Sequence, residues 1–164
     1  MSDFIDNNWI EEIVKKYSNM LFRIAYTYMK NVDDSEDIVH DAYMIIMQKK
    51  PNFVSEEHTK AWLIRVTINL CKNKLKTSWF QRRVPMDESI PFTKEENEVI
   101  SAIKQLPSKY SSIIFLYYYE GYSIKEIAGI LSSNVSTVSS WLQRGRKQLK
   151  QILKEDFDYE EGNL

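Results

Sequence analysis

Between Ser136 and Lys147 the chain reads STVSSWLQRGRK, a run whose residue types suit contact with nucleic acid better than any covalent chemistry. The hydroxyls of Ser136, Thr137, Ser139 and Ser140 can bond to bases or phosphates, and Gln143 can offer a paired donor and acceptor to an adenine edge. Arg144, Arg146 and Lys147 carry the charge that suits phosphates. If the run is helical, Val138, Leu142, Gly145, Leu149 and Ile152 form a separate inner stripe at spacings of 4, 3, 4 and 3. The preceding SIKEIAGIL supplies a second apolar face from Ile124, Ile127, Ala128 and Leu131. Small Ala128 permits close approach, and the intervening SSN is short enough to force a sharp crossing. This is a helix-turn-helix pattern, in which the second helix offers its N-terminal residues to the DNA major groove. A helical hairpin with a merely soluble face has the same spacing, so the segment alone leaves both readings open.

Catalytic patterns are missing. The sequence has no phosphate-cradling glycine loop, no credible triad and no metal-ligand spacing, with only His40 and His58 as histidines. Neither an enzyme nor a cofactor or metal is expected. Cys71 is the single cysteine, which fits a reducing cytoplasm. The first residues carry acids where a signal peptide needs bases, and the longest apolar run, Ile113 to Tyr119, is too short to span a bilayer. A cytoplasmic chain without membrane insertion is the expectation.

A net charge of −1 looks wrong for a DNA binder, but the average hides segregation. Lys60 to Arg83 holds seven bases and no acid, and Ser139 to Lys154 holds five bases and no acid. The acids gather in DDSEDIVHD, in MDESIPFTKEENE and in the tail EDFDYEEGNL. Two basic helices between acidic stretches imply two anionic contacts and at least one basic partner.

The elements that must position these groups are helices: Gly and Pro number four each, and strand-like alternation is scarce. Ile10, Ile13, Val14, Tyr17, Leu21, Ile24, Ala25 and Tyr28 mark a first helix over about 8–30. Asp33, Asp34 or Ser35 can cap a second, which runs to about Lys50 before Pro51. A third covers about 57–77, with Ile64, Ile68, Cys71 and Leu75 inside and Arg65, Asn69, Lys72 and Lys76 on another face. Trp62 at its head reads as core. Residues 80–93 lack a period, contain two prolines, and read as a linker. Beyond it come a helix ending before Pro107, a second with Ser108 as its cap and Gly121 as its stop, and the helix-turn-helix pair. The expected fold is all-α: two small helical domains joined by a flexible linker, the C-terminal one a helix-turn-helix.

Taken together, the chain resembles a bacterial RNA polymerase sigma factor of the extracytoplasmic-function (ECF) group. LPSKYSSIIFLYYYEGYSIKEIAGIL is similar to that family's fourth region, SEDIVHDAYMIIM to its polymerase-docking helix, and KAWLIRVTINLCKNKLK to the helix that meets the promoter −10 element. The resemblance implies region 2 over 1–79, a linker over 80–93 and region 4 over 94–164. It assigns Glu36, Asp37, His40, Asp41 and Tyr43 to core RNA polymerase. To the −10 element it assigns the loop Asn52 to Thr59, within it Ser55, His58 and Thr59, and the helix residues Lys60, Arg65, Asn69, Lys72, Asn73 and Lys76. To the −35 element it assigns Lys125, Ser136, Thr137, Ser139, Ser140, Gln143, Arg144, Arg146 and Lys147. It further implies promoter DNA and an anti-sigma factor as partners. The family often has Gly where this chain has Ser132 and Ser136, Lys at Ser139 and Arg at Trp141, so two cationic −35 contacts are missing, and weak −35 binding by the isolated domain or a divergent −35 sequence is expected.

Fourteen linker residues reach at most about 46–50 Å, enough, with the two domains, to span sites two DNA turns apart. The rival readings are a helix-turn-helix transcriptional regulator acting without replacing a sigma factor, which would dimerise on a palindrome, and a helical adaptor that binds only protein through Tyr117–Tyr119 and the acidic helix.

Overall fold

The computed structural model describes residues 2–77 and 101–162, with side chains over 8–77 and 101–154. Every regular element among them is helical. Contacts divide the chain into two compact units, Met1–Glu88 and Ser89–Leu164. The linker assigned to 80–93 lies outside the described residues. So does most of the helix expected to end before Pro107, of which residues 101–104 are described and helical.

The first unit is a three-helix bundle of α1 (Ser2–Met29), α2 (Val32–Lys49) and α3 (Glu56–Leu75), each packed on the other two. Its interior holds Leu21, Ile24 and Ala25 from α1, Ile38, Ala42 and Ile46 from α2, and Leu63, Ile64, Ile68 and Cys71 from α3, whereas Leu75, expected inside, is only half-buried at the end of α3. Burial strips water from Cys71 and pushes its thiol up to about 12, against a smaller opposing pull from the Lys74 ammonium. It is a buried hydrophobe, not a nucleophile.

The start of α2 differs from expectation. Asn31, not Asp33, Asp34 or Ser35, is the cap: its Oδ1 accepts the Asp34 N–H at 2.8 Å and its Nδ2 donates to the Asp34 carboxylate at 2.7 Å. Ser35 is buried instead, with its hydroxyl donating to the Asn31 carbonyl at 2.6 Å. The helix begins earlier because Asn31 holds the extended backbone a cap requires, with φ −150°. That frees Asp33 and Asp34 to lie in the first turn and oppose its positive pole.

In the second unit α4 (Ser108–Ile114) runs without a break into a five-residue π-helical turn, Phe115–Tyr119, followed by α5 (Ile124–Leu131) and α6 (Val135–Gly162). Pro107, not Ser108, occupies the cap of α4, and no side chain makes a capping bond there. Widening of the helix after Ile114 is shown by Glu120 N–H reaching the Phe115 carbonyl at 3.2 Å and Tyr122 N–H reaching the Leu116 carbonyl at 3.0 Å. Gly121 then reverses the chain at φ +72°, as its type allows. Ile113, Phe115, Leu116, Ile127, Val138 and Leu142 form the core beneath.

Candidate nucleic-acid interface

Helix α6 separates its two chemistries cleanly. Val138, Leu142 and Gly145 are buried, while Ser136, Ser140, Gln143, Arg144 and Lys147 are exposed along the opposite face. Thr137 and Ser139 lie half-buried on its flanks. Entry into α6 is fixed by α5, whose first turn carries a capping box: Ser123 Oγ accepts the Glu126 N–H and the Glu126 carboxylate accepts the Ser123 N–H, both at 3.1 Å. Those bonds favour the charged carboxylate and hold Glu126 below the usual range. Lys125 stands exposed beside it.

The turn between the helices places Ser132 at φ 52°, where its N–H bonds the Ala128 and Gly129 carbonyls. Left-handed backbone disfavours a Cβ, so Ser132→Gly is expected to stabilise the full chain by roughly 1 kcal/mol in denaturant melts. An unchanged or lower midpoint would show that this turn carries no strain.

Arg146 departs from the exposed face of Ser136, Ser140, Gln143, Arg144 and Lys147. Its guanidinium lies 5.4 Å from the ring centres of both Tyr117 and Tyr118, and its Nε donates to the Tyr118 hydroxyl. It forms one wall of a cavity of about 520 Å³ lined by Tyr118, Leu149, Lys150, Leu153 and Lys154. The groove has an apolar floor from Leu149 and Leu153 and a cationic rim from Arg146, Lys150 and Lys154.

On α3 and its C-cap, Arg65, Asn69, Lys72, Asn73 and Lys76 are all exposed, whereas Lys60 is half-buried in the first turns and lies off that row. The loop before it is held from within. Ser55 caps α3 by accepting the His58 N–H at 3.0 Å, and His58 Nδ1 accepts the Val54 N–H at 3.3 Å. Thr59 is buried, with its hydroxyl donating to the Ser55 carbonyl at 3.0 Å. Phe53, which the sequence reading did not single out, is the pin of this loop. Its ring meets His58 and Trp62 edge-on at 5.5 Å each and Trp9 at 6.0 Å. Trp62 is therefore packing that carries the loop, and Val54, 84% exposed, is what the loop presents.

On α2, Glu36, Asp37, His40 and Asp41 are exposed together. Tyr43 turns inward: it is buried against α1, where its hydroxyl and that of Ser18 bond at 2.8 Å, and burial raises its phenol above the usual value despite that bond. The same outer face carries two residues the charge pattern hid, Met44 at 41% exposure and Met47 at 39%. Part of the acidity is answered internally, since Lys74 of α3 lies 3.1 Å from Asp34 and 3.8 Å from Asp37. Among the described residues no cluster of His, Cys, Asp and Glu could hold a metal ion, and no helix is long and apolar enough to cross a membrane.

Residues 13–81 match the family Sigma-70 region 2, and residues 96–149 match Sigma-70, region 4. The chain is 31% identical over 148 residues to RNA polymerase sigma factor SigV of Bacillus subtilis, covering 83% of this chain and 86% of that one. It is 25% identical to the ECF sigma factor SigW of the same organism, covering 92% and 91%. Among solved structures, the sigma factor RpoE bound to the anti-sigma factor NepR from Bartonella quintana superposes with a TM-score of 0.71 at 20% identity, over 94% of this chain and 98% of that one.

Proposed function

We propose, from the premise that this chain belongs to the ECF group of the sigma-70 RNA polymerase sigma factors, which of its surfaces does which part of the work. As a sigma factor it binds core RNA polymerase and directs initiation at particular promoters, region 2 acting at the −10 element and region 4 at the −35 element. Sigma factors are generally initiation factors without a reaction of their own; the polymerase supplies the chemistry. We place the chain in the cytoplasm, where its polymerase works.

The observation that carries the assignment is that α2 exposes acid, α3 exposes base, and α6 exposes hydroxyls and Gln143 followed by Arg144 and Lys147, each on a face clear of the core. On this reading residues 1–79 dock through Glu36, Asp37, His40, Asp41, Met44 and Met47. Arg65, Asn69, Lys72, Asn73 and Lys76 hold the backbone of the opened −10 strand. The loop pinned by Phe53 offers a firm rim for an unstacked base, with Ser55, His58 and Thr59 setting its shape. Residues 94–164 read the −35 duplex through Ser136, Thr137, Ser140, Gln143, Arg144 and Lys147, with Lys125 and Ser139 at the margins. Tyr43 and Arg146 act from behind these surfaces, supporting α2 and the tyrosine turn. A solved relative is held by an anti-sigma factor, and we read an anti-sigma protein as this chain's partner when it is idle.

Reconstitution tests this. Core polymerase with the full chain should start transcripts at promoters recovered by run-off that core alone ignores. Asp41→Arg should weaken assembly with core, whereas Arg144→Ala should leave assembly intact and weaken promoter capture by about tenfold. Initiation sites indifferent to the chain would end the proposal.

A further inference from the structure

The −35 face as drawn is short of cations. Ser139 and Trp141 carry no charge, and Arg146 is occupied with Tyr117 and Tyr118. Arg144 and Lys147 remain on α6. Trp141 nevertheless lies on the same flank as two members of the DNA set, four residues after Thr137 and three before Arg144. Its ring is half-buried, which fixes it against the bundle.

Over that ring stands a cation from another helix. Lys109, at the start of α4, places its Nζ 5.6 Å from the Trp141 ring centre and 5.0 Å from that of Tyr110. The residue is exposed, and among the described residues no carboxylate comes within ion-pair distance of it. A lysine stem laid along aromatic rings keeps its ammonium wet, because the rings take up the methylenes and their faces attract the charge. The helix preceding the reading pair is thus positioned to lend a charge to a flank whose own side chain is neutral.

We propose that Lys109 and Trp141 form one composite phosphate contact, the indole holding the lysine at the edge of the −35 face. This rests on the reading of α6 as the −35 helix. Each phosphate contact adds about 0.9 to the slope of log affinity against log salt.

The test uses holoenzyme assembled from core polymerase and the full chain, bound to a promoter duplex recovered by run-off, with salt as the variable. Lys109→Gln should reduce the slope by about 0.9 and weaken binding roughly three- to tenfold at physiological salt. Lys109→Arg should retain both. Trp141→Ala should loosen the contact, and Trp141→Arg should restore slope and affinity in the Lys109→Gln background, a rescue that loss of folding cannot imitate. Wild-type slope and affinity in Lys109→Gln, with Arg144→Ala still impaired, would overturn the composite contact alone. If Arg144→Ala is also without effect, the −35 reading itself falls and this inference with it.

Discussion

Gly145→Val will destabilise the C-terminal unit by roughly 2–3 kcal/mol, the cost of forcing a branched side chain between two tightly packed helices. A Cβ at Gly145 would lie 2.8 Å from Ile114 Cδ1, 3.2 Å from Tyr110 Cβ and 3.3 Å from Ile114 Cγ1. The first atom is the end of a side chain that can rotate away. Tyr110 Cβ is tied to the backbone of α4 and cannot, so α4 must move off α6. Gly145→Ala meets the same wall with one methyl, while gaining about 1 kcal/mol of helix propensity, and should fall near neutral or mildly destabilising. Hydrogen exchange on the full chain separates the cases: amides of α4 and α6 should exchange about 30- to 150-fold faster in the valine variant, with α1–α3 unchanged. Unaltered protection would mean that the two helices part without cost. Because Lys109 and Tyr110 sit on the displaced helix, the same variant should also flatten the salt dependence of promoter binding.

How far the sequence announces this molecule follows from what a single-chain pattern can encode. The stripes Leu21–Ile24–Ala25 and Val138–Leu142–Gly145 were readable because a buried face repeats every three to four residues whatever it packs against. The flanks were not. Arg146 and Arg144 are two residues apart in a basic run, yet one stacks on tyrosines and the other stays exposed beside Gln143 and Lys147, and only the position of the tyrosine turn decides which. Tyr43 sits inside a polar helix and looks exposed until Ser18 of α1 is placed beside its hydroxyl. Asp33 and Ser35 resembled caps as well as Asn31 did; the choice depended on which residue adopts extended backbone. The π-helical widening at Phe115–Tyr119 leaves no mark in an apolar run that fits an ordinary helix equally well. Phe53 escaped notice because a lone aromatic in a loop has no period, and its value lies in four rings meeting from α1, the loop and α3.

Replacing Met44 and Met47 together by glutamate should abolish assembly with core polymerase at concentrations where the wild type is saturated. Charge alone would give the opposite sign, since two more acids on an acidic helix strengthen its attraction to a basic partner. Exposure decides against it. Each methionine retains about two-fifths of its surface free in this chain, 41% and 39%, on the face that also carries Glu36, His40 and Asp41. Completing their burial is worth on the order of 0.6–1.2 kcal/mol each, taking that fraction of the 1.5–3 kcal/mol for a whole side chain. Truncation to alanine at both positions should therefore weaken the complex roughly 10- to 50-fold. Glutamate loses the same contact and adds two carboxylates that must be desolvated against a surface shaped for thioethers, at least about 1 kcal/mol apiece. The combined loss approaches 3–4 kcal/mol, several hundredfold in affinity. Neither substitution touches Ile38, Ala42 or Ile46, which keep α2 in the bundle, so the helical content of the free chain should not change. Labelled chain titrated with core polymerase reads both variants. Wild-type assembly by the glutamate pair would show that acids alone make the contact and that these exposed methionines are incidental.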